Sequence, residues 1–312
     1  MRSLVTGGAG FIGSHLTDAL VARGDEVMVI DDLSSGRREN LIGGAGQAAE
    51  LVEASILDDT ALAEAFARQR PEQVFHLAAQ IDVRRSVADP VHDLDLNVGG
   101  TIKLLELARE HEVARFLFAS TGGAIYGEGD GRDLPLNESA ETRPDAPYGQ
   151  SKNAAEGYLS LYRRLYGLEA SALRLGNVYG PRQDPHGEAG VVAIFCRALL
   201  SGATPRVFGG GEQTRDYIYV ADVAAAFIAA SEAASTGTFN VGTGIETSVL
   251  ELGQRLGAAC GAPFDPELAP ARVGEVQRIS IDPTLAGTEL GWSIGHDLDR
   301  ALAVTVDSFR DG

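Results

Sequence analysis

The first half of the chain alternates short apolar runs with longer amphipathic stretches, a pattern typical of parallel α/β sheets. The predicted strands are Arg2–Thr6, Glu26–Ile30, Leu51–Ala54, Gln73–Ala78, Arg115–Ser120 and Leu173–Leu175. Helical patterns lie between them, including a long one at 97–111 and another at 148–166. The regular alternation predicts a doubly wound parallel sheet with helices on both faces.

Beyond Leu173 the rhythm becomes irregular, and glycine, proline and loops increase. Short strands are predicted at Tyr217–Val220 and Thr238–Val241, with a helix at 222–233 between them and two further helices near the end. A length of 312 residues fits two joined domains. We therefore expect domains of residues 1–173 and 174–312, the second being smaller and mixed α/β, with a segment near 214–242 returning to the first.

Composition narrows the class of protein. The net charge of −18 argues against nucleic acid or an anionic membrane surface as a partner. No apolar run is long enough to span a membrane, and the N-terminus does not resemble a signal peptide. Two cysteines and the absence of zinc-like Cys/His spacing predict a reduced, cytoplasmic protein without a metal site.

A glycine-rich turn follows the first predicted strand. Gly7, Gly10 and Gly13 permit a tight turn and a close approach of backbone to a pyrophosphate at a helix N-terminus. Asp31 lies 18 residues past Gly13, where a carboxylate binds ribose hydroxyls and repels a 2′-phosphate. The sequence therefore predicts a Rossmann-type domain that binds NAD rather than NADP. Arg37 and Arg38, which follow shortly, are an alternative phosphate site, but solvated loop charge is the favoured interpretation of both.

A second motif carries the candidate chemistry. Tyr148 and Lys152 are one helical turn apart, so both side chains lie on one face of a helix. An ammonium beside a phenol lowers the phenol pKa and makes the phenolate a usable general base. Lys103 and Lys152 are the two lysines among 26 basic residues, so lysine is kept here in a chain that otherwise uses arginine. An ordinary surface pair is the competing interpretation.

These motifs, together with the run Asn177–Arg182, resemble the extended short-chain dehydrogenase/reductases that act on nucleotide sugars, the nucleotide-sugar epimerase family. The likeness extends from Arg2 to about Phe309. It implies an enzyme with bound NAD that inverts C4 of a UDP-hexose, UDP-glucose or UDP-galactose, through a 4-keto intermediate. It also implies a homodimer that associates through the helices at 97–111 and 148–166.

The resemblance assigns roles to individual residues. Tyr148 is expected to be the acid/base, with Lys152 as the partner that lowers its pKa and holds the nicotinamide ribose. The cofactor is expected to contact Gly7, Gly10, Phe11, Ile12, Gly13, Asp31, Asp32, Ser35, Ser55, Ile56, Leu77, Ala78, Ala79, Gln80, Asn97, Ser120, Tyr148 and Lys152. The substrate is expected to contact Gly122, Tyr148, Asn177, Val191, Val207, Phe208, Arg215 and Arg272, with the two arginines on the diphosphate and Val207 and Phe208 lining the uracil pocket.

The sequence departs from the family at Gly122, where a Ser or Thr hydroxyl usually bridges the tyrosine and the sugar 4-hydroxyl. Thr121, a water or direct contact with Tyr148 remain as substitutes. Ser55 also replaces a frequent Asp that holds the adenine. Gly123 and Ala124 stand where related 4,6-dehydratases and decarboxylases carry acidic residues, which favours oxidation and re-reduction at C4.

Other interpretations stay open on the sequence alone. Ile279 falls where residue size controls room for an N-acetyl group, so UDP-GlcNAc is an alternative substrate, and UDP-glucuronate is another. Other nucleotide-sugar oxidoreductases are less favoured. A non-catalytic NAD-sensing module is also less favoured, because such proteins typically lack the Tyr/Lys pair that this chain keeps at Tyr148 and Lys152.

Overall fold

The computed structural model of the protein describes residues 1–42, 45–185, 190–271 and 276–310. Its strands are β1 (Arg2–Thr6), β2 (Glu26–Asp31), β3 (Glu50–Glu53), β4 (Gln73–His76), β5 (Arg115–Thr121), β6 (Ala170–Leu175), β7 (Asn177–Tyr179), β8 (Arg206–Phe208), β9 (Thr214–Arg215), β10 (Tyr217–Tyr219), β11 (Thr238–Val241), β12 (Thr247–Ser248) and β13 (Glu267–Ala269). Seven of these form one parallel sheet in the order β11-β6-β5-β4-β1-β2-β3. The predicted doubly wound parallel sheet is confirmed.

The helices connect these strands and cover the sheet. They are α1 (Phe11–Arg23), α2 (Glu39–Ile42), α3 (Asp59–Gln69), α4 (Val83–Ala88), α5 (Pro90–Leu94), α6 (Gly100–Glu110), α7 (Gly122–Ile125), α8 (Pro147–Tyr166), α9 (Val191–Leu200), α10 (Val220–Glu232), α11 (Val249–Cys260), α12 (Thr284–Leu290) and α13 (Leu298–Arg310). A short 3-10 helix spans Ala45–Ala48, and a π-helical turn spans Asp95–Gly99.

Both faces of the sheet are buried, as near-continuous apolar strands require. On one face, Leu16 and Leu20 of α1 and Phe227 of α10 pack with residues from the central strands. On the other, Phe66 of α3 and Leu159 of α8 belong to a second buried cluster. The sheet is therefore the middle layer of three, and its carboxyl edge is where functional loops gather.

The strand order changes direction between β1 and β4, which are neighbours although β2 and β3 lie between them in the chain. Val5 of β1 lies beside Val29 on one side and Phe75 on the other. In open α/β sheets, ligands bind outside the carboxyl ends of the strands at such a switch point. The glycine turn after β1 lies at this place.

The C-terminal part contains three two-stranded sheets, β10–β7, β12–β9 and β13–β8, within the described ranges. Its buried cluster includes Phe195, Tyr217, Leu252 and Leu302. The last section contains α11, α12 and α13, so the prediction of two helices there is wrong. Strand β11 lies in the segment expected to return to the first domain. It joins the main sheet beside β6, with Phe239 opposite Leu173.

The predicted helix at 97–111 also differs in the structure. The chain first forms the π-helical turn Asp95–Gly99, and the α-helix α6 begins only at Gly100. The Asn97 side chain bonds across to the backbone of Gln80 instead of facing solvent. A π-turn often appears at functional sites, and here it presents an amide to the loop after β4. In the described residues no helix is both long and apolar enough to cross a membrane.

Candidate active site

The glycine turn holds backbone close to backbone. Gly7 has a φ of +71°, and a Cβ there would lie 2.6 Å from the nitrogen of Ala78. A Cβ on Gly13 would lie 2.0 Å from the carbonyl oxygen of Gly7. Helix α1 then begins at Phe11 without a side-chain cap on its N-terminus. Its first N–H groups therefore face the cleft, where the helix dipole favours a phosphate.

Asp31 ends β2 beside this turn. Its carboxylate accepts hydrogen bonds from the N–H of Ala9 at 2.9 Å and of Leu33 at 2.9 Å. Burial raises its pKa, and these backbone bonds oppose the rise. Arg37 pairs with Asp184 at 3.4 Å, and Arg38 pairs with Glu53. Both arginines that follow Asp31 are thus paired with acidic groups, so a ribose with free hydroxyls fits this end better than a 2′-phosphate.

A cleft with a cavity volume of about 200 Å³ runs from Asp31 to Lys152. It is lined by all the predicted cofactor residues except Gln80 and Asn97. Sequence reasoning missed further lining residues, which are Ile30, Ser34, Ala54, Ile81, Leu96, Ala119 and Leu175. These are mostly apolar residues at strand ends or in loops, and no local pattern distinguishes them from core. The glycine cradle, Asp31 and this cleft fit a dinucleotide such as NAD.

Gln80 and Asn97 act behind the cleft wall. The Asn97 amide accepts from the Gln80 N–H and donates to the Gln80 carbonyl, both at 2.9 Å. The two residues therefore fix the loop after β4 rather than line the cofactor cleft. His76 is also structural, because its ring nitrogens bond the hydroxyls of Thr6 at 2.8 Å and Thr101 at 3.0 Å. Burial lowers the pKa of His76 to about 3, so the ring is neutral.

Tyr148 and Lys152 lie on the first two turns of α8, as predicted. Helix α8 begins at Pro147, and its N-cap Ala146 supplies no side-chain hydrogen bond. The hydroxyl of Ser86, from α4, accepts from the Tyr148 N–H at 3.2 Å instead. Both Tyr148 and Lys152 face the cofactor cleft. A distant segment thus completes the helix N-terminus that carries the candidate acid/base.

The predicted electrostatics of this pair are wrong in one respect. Burial, followed by the charge of Asp93, raises the pKa of Tyr148, and a hydrogen bond with Thr121 only partly opposes the rise. Lys152 donates to the Ala119 carbonyl at 2.8 Å and lies 4.5 Å from the Phe118 ring centroid. Burial lowers the Lys152 pKa to about 7. Burial dominates the pKa of Tyr148, so this lysine alone does not generate the phenolate.

The structure gives a physical reason for glycine at 122. A Cβ at this position would lie 2.6 Å from the Cδ1 atom of Ile281, so the space of the usual hydroxyl side chain is filled. Ile281 is buried and packs with Ile125 and Tyr126. Thr121 supplies a hydroxyl one residue earlier, and that hydroxyl is hydrogen-bonded to Tyr148. Of the substitutes left open by the sequence, Thr121 is the one that this hydrogen bond supports.

A second buried network lies beneath Lys152. Arg174 donates to both carboxylate oxygens of Glu156 at 2.7–3.2 Å and to the Tyr126 hydroxyl at 2.7 Å. The Ser120 hydroxyl donates to Glu156 at 2.5 Å. Glu156 and Lys152 are one turn apart on α8, and the carboxylate favours the lysine ammonium. No local pattern indicated this network, because its members come from separate segments and look like ordinary surface charges.

Three predicted substrate residues, Asn177, Val191 and Phe208, are not part of the cofactor cleft lining. Asn177 is exposed at the start of β7, and a Cβ on Gly123 would contact its side-chain oxygen at 3.4 Å. Val191 is half-buried at the N-terminus of α9. Phe208 is half-buried beneath the Arg206 guanidinium, 5.7 Å from its ring centroid. These side chains remain accessible to a ligand.

The three remaining predicted substrate residues are Val207, Arg215 and Arg272. Val207 is only 1% exposed and its side chain packs in the C-terminal core, so its expected contact with the uracil stays a prediction. Arg215 is half-buried in β9, where its guanidinium donates to the Thr214 carbonyl at 2.7 Å. Arg272 lies outside the described residues.

Fold and cleft together define a dinucleotide-binding enzyme of the Rossmann class. The chain belongs to the NAD dependent epimerase/dehydratase family, whose model matches residues 3–242. It is 49% identical to the UDP-glucose 4-epimerase of Mycolicibacterium smegmatis, covering 100% of this chain and 99% of that protein.

Solved structures agree with this family. The UDP-glucose 4-epimerase of Thermotoga maritima with UDP-glucose superposes with a TM-score of 0.96 at 45% identity, over 100% of this chain and 99% of that chain. The Thermus thermophilus UDP-glucose 4-epimerase in complex with NAD gives a TM-score of 0.92 at 43% identity, over 99% of each chain.

Proposed function

We propose that this protein is an NAD-dependent isomerase that inverts C4 of a UDP-hexose, interconverting UDP-glucose and UDP-galactose through a 4-keto intermediate. The observation that carries the proposal is that Tyr148 and Lys152 line a dinucleotide cleft, with Thr121 hydrogen-bonded to Tyr148. The names of the relatives support it, since full-length relatives at 43–49% identity are UDP-glucose 4-epimerases.

In this mechanism Tyr148 takes the proton from the sugar 4-hydroxyl and later returns one to the 4-keto oxygen. Thr121 shares a hydrogen bond with Tyr148 and passes the proton between the phenol and the sugar. Bound NAD would supply the hydride acceptor at C4, and its positive charge would favour the phenolate that Lys152 alone does not produce. Glu156 and Asp93 oppose the loss of charge from Lys152, which is expected to hold the nicotinamide ribose.

Cofactor and substrate are assigned to different parts of the chain. Residues 1–173 form the proposed NAD domain, with β11 added to its sheet, and residues 174–312 form the proposed nucleotide-sugar domain. We assign Asn177 to the sugar and first phosphate, Arg215 and Arg272 to the diphosphate, and Phe208 to the uracil. Binding through the nucleotide leaves the hexose free to turn, so that hydride returns to the opposite face.

The local chemistry argues against elimination and decarboxylation. Thr121 is followed by Gly122, Gly123 and Ala124 in α7, and none of these has a side chain that transfers a proton. A 4,6-dehydratase needs acidic or basic groups close to C5 and C6. The geometry here supplies acid/base chemistry at one position, which is sufficient for reversible oxidation of a single alcohol.

We further propose that the protein is a homodimer in a reducing, cytoplasmic compartment. Helix α8 exposes apolar side chains in its C-terminal half, including Tyr158, Leu165 and Tyr166, which are 37%, 61% and 53% exposed. A second copy of the chain that pairs α6 and α8 with their equivalents would cover them. Both cysteines are free, as expected in a reducing compartment.

The direct test is to incubate the purified protein separately with UDP-galactose, UDP-GlcNAc and UDP-glucuronate and to follow each sugar by NMR. We expect UDP-galactose to equilibrate with UDP-glucose at the highest rate. Tyr148→Phe serves as the matched control for contaminating activity. Inversion of UDP-GlcNAc or UDP-glucuronate alone would overturn the substrate assignment, and no inversion of any sugar would overturn the reaction.

A further inference from the structure

Asp93 is a carboxylate with no exposed surface, and it lies behind the reacting side chains. One carboxylate oxygen accepts from the amide of Gln80 at 2.9 Å and from that of Asn97 at 3.0 Å. The other accepts from the hydroxyl of Ser151 at 2.7 Å. A buried charge is maintained only when such hydrogen bonds replace its lost hydration.

These three partners come from the segments that form the active site. Gln80 lies in the loop after β4, which lines the cofactor cleft, and Asn97 belongs to the π-helical turn. Ser151 lies on α8 between Tyr148 and Lys152. Asp93 itself belongs to α5, so a single carboxylate connects the cofactor loop to the helix that carries the acid/base. A shift of this junction would move the phenol relative to the nicotinamide.

The charge of Asp93 also reaches the reacting groups. It disfavours the phenolate of Tyr148 and thereby raises the pKa of that group, and it favours the ammonium of Lys152. Among the described residues, the other groups that act on this pair are Glu156, which also favours the Lys152 ammonium, the neutral His76, and the uncharged hydroxyl of Thr121. Asp93 is the charged group that acts on both members.

We propose that Asp93 is a positioning residue that joins the cofactor loop to helix α8 and sets the pH range in which Tyr148 and Lys152 work together. The inference rests on the proposed acid/base role of Tyr148. It predicts that Asp93 influences the pH dependence of the reaction without contacting the substrate.

The decisive variant is Asp93→Asn. Its side-chain oxygen can still accept from Gln80 and Asn97, and its amide can donate to Ser151, so the shape of the junction is kept and the charge is lost. Loss of a negative charge favours the deprotonated forms of both the phenol and the ammonium. The kcat–pH profile should therefore move as a whole to lower pH, by roughly 0.5 to 1 pH unit.

Ionisation of Tyr148 can also be read without turnover. The tyrosinate absorbance of each protein, minus that of the same protein carrying Tyr148→Phe, isolates this phenol from the other tyrosines of the chain. The difference titration of Asp93→Asn should shift downward with the rate profile. If Asp93→Asn does not fold, Asp93→Ser, which is also neutral, should show the same shift.

Ser151→Ala is the matched control, because it removes one contact of Asp93 and leaves the charge. It should slow turnover, but its profile should keep the wild-type position on the pH axis. A neutral Asp93 variant whose rate and absorbance profiles both stay at the wild-type pH would overturn the proposal, whatever its loss of rate or melting temperature. A wild-type protein that inverts no sugar would instead overturn the proposed function, and the absorbance titration would still test Asp93.

Discussion

The two ends of the cleft are built in different ways. The cofactor end is made by the backbone of one short segment, Gly7–Gly13, where glycines allow atoms to approach within distances that a Cβ would prevent. The reacting end is made by side chains from distant segments, namely Asp93, Thr121 and the pair Tyr148 and Lys152. A contiguous motif therefore describes the first end, whereas the second exists only after the sheet and α8 have packed.

This difference has a chemical consequence. A backbone cradle binds a pyrophosphate through fixed N–H groups, whose properties do not depend on pH. The reacting end uses titratable groups whose pKa values are shifted by burial, to about 7 for Lys152 and upward for Tyr148. Binding and reaction should therefore respond differently to substitution and to pH.

Tyr148→Phe should produce the largest difference between the two ends, because it should lower the rate and leave cofactor binding unchanged. Loss of a positioned acid/base should lower the rate by about 10²- to 10⁴-fold. The cofactor cradle is untouched, so NAD and UDP should still bind. Rates are measured with UDP-galactose, and binding by calorimetry. Turnover near the wild-type rate would remove Tyr148 from the mechanism.

Gly13→Ala should weaken binding at the cofactor end of the cleft. Its Cβ would lie 2.0 Å from the Gly7 carbonyl oxygen, so backbone must move within the cradle. We expect NAD affinity to fall by roughly 10- to 100-fold, measured by titration, with a lower melting temperature.

The control for this prediction is Gly99→Ala, where a Cβ meets nothing within 4 Å and the backbone is already helical, with a φ of −57°. It should bind NAD normally. Equal loss of affinity in both variants would contradict the idea that the crowded turn is the cofactor site.

Thr121→Ala tests the relay at the reacting end. Its hydroxyl bonds Tyr148 and also caps α7 by accepting from the Ala124 N–H at 3.2 Å. We expect a rate loss of about 10-fold or more from the missing hydrogen bond. Thr121→Ser keeps both contacts and should retain most of the rate. If both variants turn over like wild type, the relay does not pass through this side chain.

Lys152→Met should show how much the burial of a charged lysine destabilises the folded protein. The folded-state pKa of Lys152 is about 7, below its ordinary value of 10.5, so between these values the unfolded chain holds a proton that the folded chain lacks. The free energy of unfolding of the wild-type protein should therefore rise as the pH increases from about 7 toward 10.5, because the unfolded chain binds more protons than the folded chain in this range.

The Met variant lacks this pH-dependent contribution of Lys152 to the free energy of unfolding. Its melting temperature should exceed the wild-type value by a few degrees at pH 7, and the difference should shrink as the pH approaches 10. Thermal melts at several pH values measure it, and a difference that does not change with pH would contradict the lowered pKa.

The fold was accessible from the sequence because its signals are local. Apolar runs at regular intervals predicted the central strands, and a glycine turn after the first strand predicted the cofactor cleft. The spacing of Tyr148 and Lys152 predicted that both face one side of a helix. Each of these inferences depends on neighbouring residues, whose geometry is fixed by the period of a helix or strand.

Other features had no local signal. Asp93 looks like one of several acids in an amphipathic stretch, and Ile281 lies far along the chain from the Gly122 whose side-chain space it fills. The pKa direction at Tyr148 was wrong because the neighbouring ammonium was visible in the sequence, whereas the depth of burial was not.

The sequence by itself determined the alternation of strands and helices in the first half, the glycine cradle and the residues able to transfer a proton, because short-range sterics and side-chain chemistry decide them. Tertiary structure alone decided which charges lose their water, which hydroxyl lies beside the phenol and which carboxylate connects the helix to the cofactor loop. Those properties depend on through-space distance and on exclusion of solvent, and both arise only when segments far apart in the chain pack together.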